Sequence, residues 1–148
     1  MKGDTIPDKD HIARYCGFRN LDEDGQIGAS AFMLNVKKNE KELSVDWLEF
    51  LNCSNREAEI TEMRNVYANR LDVGKKAKIA ILNVGNTLQE VQANSQDNRK
   101  LNIIHDPLVP EGAQSPHSGI YGLKEDDDMI AELLAQCISE SSPARTTI

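Results

Sequence analysis

Lys76-Ala77-Lys78-Ile79-Ala80-Ile81-Leu82-Asn83-Val84 contains four successive apolar residues, Ile79 to Leu82, bounded by lysines on one side and Asn83 on the other. A run this short, rich in isoleucine, reads as a central strand covered on both faces; a surface strand would alternate with polar residues. Downstream, Asn86 can cap a short helix through Leu88 and Val91. Arg99 to His105 reads as a further strand, with Leu101, Ile103 and His105 on one face. Upstream, Phe32, Leu34 and Val36 alternate with other residues, and Leu43 and Val45 follow a polar stretch. This spacing predicts a hairpin turning near Asn39. The segment Val45 to Leu51 is expected to become helical at its end.

Two longer helices flank these strands. Ser54 with Glu57 forms a capping box, and Ile60, Met63, Val66, Tyr67 and Leu71 recur at helical spacing up to Gly74. Met129, Ile130, Leu133, Leu134, Cys137 and Ile138 make a second apolar stripe reaching about Ser139. Its start carries Glu125-Asp126-Asp127-Asp128, whose charge complements the helix dipole and is read as that, in preference to a metal site. Strands mixed with helices imply an α+β fold: a small, largely antiparallel sheet packed against two to four helices. The expected organisation is a mobile segment over 1–7, one globular domain over 8–140, and a mobile tail over 141–148.

Composition narrows the function classes. The 148 residues carry 24 acidic and 17 basic side chains, a net charge of −7, distributed as −3, +2 and −6 over residues 1–50, 51–100 and 101–148. Nucleic acid is therefore not expected as the main ligand, because that affinity comes from lysine and arginine neutralising phosphates. The one basic stretch, Arg64, Arg70, Lys75, Lys76 and Lys78, reads as a solvated helix face followed by a strand edge guarded by lysines. No apolar run approaches the length of a membrane span, and Met1 to Pro7 has no apolar core of a signal peptide, so the expected location is cytoplasmic, without membrane contact. Cys16, Cys53 and Cys137 form an odd, widely spaced set suited to reduced thiols, which makes the sequon Asn52-Cys53-Ser54 accidental.

Residues 20–31 resemble an EF-hand calcium loop at Asp22, Asp24, Gly25 and Ile27. They depart from it at Asn20 in the first position and at Ala31 in the twelfth, where the loop needs a bidentate glutamate. A surface turn at Asp24-Gly25 is the expected structure. No cofactor is expected, since Gly85 lacks the companions of a phosphate-binding loop, and no cysteine nucleophile is expected, since the three thiols sit in or near apolar stretches that suppress the thiolate. No metal is expected either, since no pair of histidines or cysteines has a local ligand spacing.

Two functional readings follow. The first is a non-catalytic accessory or partner-binding protein, with a protein as its partner and its oligomeric state left open. The second is a small enzyme acting on a phosphate-containing or nucleotide substrate, such as a phosphoesterase, ribonuclease or transferase. In it Arg14 would hold the anion in fork geometry, and His11, His105 and His117 would exchange protons. That reading requires the three imidazoles and the guanidinium to share one concave surface. Pro107 to Pro116 is long enough to act as a flexible binding loop or as a plain surface connection.

Overall fold

The computed structural model describes residues 3–146. In chain order its elements are β1 (His11–Cys16), β2 (Leu43–Trp47), α1 (Arg56–Arg70), β3 (Lys78–Asn83), α2 (Val84–Asn94), β4 (Asn102–His105), β5 (His117–Tyr121), α3 (Asp128–Gln136) and β6 (Ile138–Pro143). The six strands form one antiparallel sheet in the order β4-β5-β2-β1-β3-β6. This is an α+β fold with three α-helices among the described residues.

Both faces of the sheet are covered. Ala80 and Leu82 of β3, with Ile12 and Cys16 of β1 and Leu43 and Val45 of β2, pack among Val84 and Val91 of α2 and Ile130, Ala131 and Leu134 of α3. Ile79 and Ile81, with Ala13 of β1, face Met63 and Tyr67 of α1 on the other side. Two-sided burial is why residues 79–82 are all apolar, since alternate side chains of a strand point to opposite layers.

Several boundaries differ from the sequence reading for identifiable reasons. Phe32 to Val36 does not form the first arm of a hairpin. Ala29–Phe32 and Val36–Lys38 are 3-10 turns, and Ala31 and Phe32 enter the core from the first of them. The true neighbours of β2 are β1 and β5. Asn55, not Ser54, caps α1, its side chain accepting from the Ala58 amide at 2.8 Å, and the helix ends at Arg70, before Gly74. Asn83 caps α2 in place of Asn86, accepting the Asn86 amide at 2.8 Å. β1, β5 and β6 were not anticipated: the first lacks clean alternation because it too is buried on both faces, the second opens with the loop-like His117-Ser118-Gly119, and the third takes Ile138 and Ser139, expected at the end of α3, which stops at Gln136.

Both ends of the described residues are packed against the sheet. The Gly3 and Ile6 amides donate to the carbonyls of His105 and Ile103, Thr5 bridges Ile104, and the Ile6 side chain is fully buried. The open edge of β4 is thereby covered, which removes a row of unpaired backbone groups. The Asn83 side-chain amide donates to the Asp8 and Asp10 carbonyls, and a Cβ on Gly85 would lie 2.8 Å from the Asp8 Cβ, so the start of α2 needs glycine where this segment crosses it. At the other end residues 141–143 belong to β6, and the buried Ala144 donates its amide to the Ala77 carbonyl at 2.9 Å.

The Ile6→Ala substitution is expected to lower the unfolding free energy by about 2–5 kcal/mol in urea titration, the usual range for emptying a buried isoleucine site. A change below about 0.5 kcal/mol is the result for a segment that is free in solution.

Candidate functional site

β1 and β2 are in register only at Ile12 opposite Trp47 and Ala13 opposite Asp46. Beyond that point Arg14 occupies the opening between the strands. Its Nε donates to the Ala31 carbonyl at 2.9 Å and one Nη to the Ser44 carbonyl at 2.8 Å. A guanidinium thus closes part of the gap where a strand ladder would otherwise continue.

The opening widens into a cleft of about 520 Å³ on the α1 side of the sheet. Arg14, Ser44, Asp46, Tyr67, Arg70 and His117 supply its polar wall, and Leu71 and Leu108 its apolar margin. β2 contributes Ser44 and Asp46 because its alternation sends Leu43 and Val45 to the opposite layer. α1 contributes Tyr67 and Arg70, three residues apart and therefore on one helical face. β5 contributes His117, paired in register with Asp46.

Hydrogen bonds fix most of these groups. Arg70 holds both oxygens of Glu111 through Nε at 2.6 Å and Nη2 at 2.9 Å, while Nη1 donates to Asp46 at 3.0 Å. Glu111 also accepts the Ser115 hydroxyl at 2.8 Å, which ties the 107–116 connection to α1. His117 Nδ1 lies 2.8 Å from the Asp106 carbonyl and must therefore carry a proton. In the neutral ring, Nε2 then accepts the Ser44 hydroxyl at 3.2 Å.

Burial and charge oppose each other here. Burial pushes the Asp46 carboxyl up, against the pull of Arg70 and His117. Burial, reinforced by Asp46, holds the Tyr67 phenol well above its ordinary value. The Tyr67 hydroxyl lies beside Asp46 yet makes no hydrogen bond of acceptable geometry. Arg70 keeps Glu111 below the usual carboxylate range. Burial draws Arg14 down, partly offset by nearby negative groups that include Glu40 and Asp46.

The four residues grouped from sequence separate into a pair and two outliers. Arg14 and His117 line the cleft. His11, at the start of β1, is held by Glu49 in the turn Glu49–Leu51, its Nδ1 2.7 Å from Oε2, and does not line it. His105 is buried, with Nε2 2.9 Å from the Ser115 carbonyl and its ring against Trp47 and Phe50. A four-residue centre is therefore not assembled. Arg70 departs from the solvated helix face expected of the basic stretch, because its charge is taken by Asp46 and Glu111. Ser44, Asp46 and Tyr67 were not singled out: serine and aspartate alternating in a strand look like a solvent face, and Tyr67 fits an apolar helical stripe.

Other carboxylates are engaged locally. Asp22 accepts the amides of Asp24 and Gln26 in a turn closed by Gly25 at φ +78°, the turn expected there. Asp127 is bound by Arg99 and also accepts the Lys124 amide. Among the described residues no group of three or more histidines, cysteines and acids is arranged to hold a metal ion. No described helix is long and apolar enough to cross a membrane.

Behind Arg14, burial raises the Cys16 thiol to about 11 from an ordinary 9.0. The unfolded chain ionises this thiol first, so its stabilising contribution is complete below pH 9, falls as pH rises, and is gone above about 11. Over that window the wild type is expected to lose about 2–3 kcal/mol more than Cys16→Ala in chemical denaturation. Identical pH profiles contradict a buried neutral thiol.

Comparison of the chain with protein-family models, with curated proteins and with solved structures finds no match, so the cleft is interpreted from its own chemistry.

Proposed function

We propose that this chain is a non-catalytic accessory protein that receives part of a protein partner in the cleft between β1 and β2. The observation that carries this reading is the fixity of the polar wall. Arg70 is committed to two carboxylates, and both ring nitrogens of His117 are committed to Asp106 and Ser44, leaving a shaped surface whose groups are already positioned. Preorganised groups around a concave site favour binding, since little side-chain entropy remains to be lost. An exposed apolar residue, Leu71, lies in its margin, and the exposed Phe18 and Val109, at 70% and 91%, are the chain neighbours that follow its lining residues Gly17 and Leu108. Large exposed apolar side chains gathered near a polar site suit a protein surface.

A second reading, a small enzyme acting on a phosphate-containing substrate, draws support from one contact. Ser44 Oγ lies 3.2 Å from His117 Nε2, and the Asp106 carbonyl orients the ring from its far side. Nucleophile, base and orienting group stand in that relation in serine-dependent transfer. In this version Arg14 and His117 act without His11 and His105.

One set of variants separates the readings. Ser44→Tyr, which fills the cleft from an exposed position, is expected to abolish capture of a partner by the immobilised protein, while His11→Gln leaves capture intact. Unchanged capture by Ser44→Tyr contradicts the cleft as the binding surface. Hydrolysis of p-nitrophenyl phosphate by the wild type that falls about 100-fold or more in both Ser44→Ala and His117→Asn would instead carry the catalytic reading.

A further inference from the structure

We propose that the group entering the cleft is an oxyanion, a carboxylate or a phosphate on a side chain of the partner, received by Arg14 and Tyr67. This rests on the reading of the cleft as the partner's site and adds the chemistry recognised there.

The cleft has a surplus of donors. Arg14 offers five N–H groups. Two of its nitrogens donate to backbone carbonyls, those of Ala31 and Ser44, which leaves three N–H groups with no protein acceptor among the described residues. Arg56, Arg70 and Arg99 each hold a carboxylate. Arg14, enclosed between strands, holds none among the described residues. A half-buried guanidinium is well suited to pair with an anion, because carbonyl dipoles replace part of its hydration without neutralising its charge.

Tyr67 gives an independent indication. It is 2% exposed, lines the same cleft, and its hydroxyl has no hydrogen-bond partner. A buried hydroxyl left unpaired is unfavourable, and an incoming acceptor would relieve this. Asp46 cannot serve as the main receptor for a cation, since Arg70 already occupies it. The Arg14 charge can attract an acidic or phosphorylated side chain locally despite the net charge of −7.

The test is titration of the full chain with inorganic phosphate and, separately, with acetate at matched ionic strength, followed by two-dimensional NMR that includes the arginine Nε–H region. Saturable shifts of Arg14 Nε–H and of the Gly17 and Asn20 amides are expected for at least one anion. Response to phosphate alone assigns a phosphorylated side chain, response to acetate alone an acidic one, and response to both an unselective oxyanion site. Arg14→Gln is expected to weaken binding about tenfold or more, and Tyr67→Phe about threefold to tenfold. Because Arg14 also joins β1 to β2, Tyr67→Phe decides the matter if Arg14→Gln does not fold. Absence of saturation by either anion below about 50 mM, or unchanged affinity in Tyr67→Phe, overturns the oxyanion assignment. If partner capture still disappears in Ser44→Tyr, that failure leaves the cleft as the partner's site and removes only its anionic occupant.

Discussion

The insertion of Arg14 between β1 and β2 is the constraint from which the site follows. Two strands that pair at Ala13 and Asp46 would ordinarily continue their ladder toward Ser44. The guanidinium takes the Ser44 and Ala31 carbonyls instead, linking strand, neighbouring strand and 3-10 turn through one side chain. Both carbonyls are thus satisfied while the sheet is held open. A hydrophobic residue of similar length would leave those carbonyls unpaired, and lysine would supply a point charge without the planar arrangement of donors.

The remainder of the cleft is supported from both sides of that opening. α1 carries Tyr67 and Arg70 over the sheet, anchored by Met63 and the Ile79/Ile81 face of β3. Arg70 then extends to Glu111, and Glu111 to Ser115, so the connection between β4 and β5 is fastened to the helix by charge. β5 enters directly from this connection and places His117 against Asp46 and Ser44. Packing therefore sets the distance between helix and sheet, and the ion pairs set where the loop closes over it.

Much of the architecture was legible because burial writes itself into residue order. Ile79 to Leu82 marked β3, and the double stripe around Ile130 and Leu134 marked α3, since both are apolar where two layers meet. The expected hairpin failed because Phe32 reaches the core from a 3-10 turn and Leu34 from the irregular segment after it, where alternation carries no strand meaning. β5 was hidden by Ser118 and Gly119, small residues that fit a buried strand as readily as a loop. At the site, Arg14 and His117 could be named from their chemistry, but nothing in one sequence distinguishes His117 from His105. The three missed members, Ser44, Asp46 and Tyr67, become functional only through the register of β2 with β5 and the position of α1, which are tertiary facts.

Solvent exchange of the Arg14 Nε–H proton, followed by NMR at neutral pH in the isolated protein, probes this arrangement most directly. A guanidinium fixed by the Ala31 carbonyl should give a resolved Nε–H signal exchanging about tenfold or more slowly than that of the exposed Arg19. An Arg14 signal that exchanges as fast as Arg19 would mean that the side chain is loose in solvent, that the strands are not held apart by it, and that the cleft has no fixed donor at its centre.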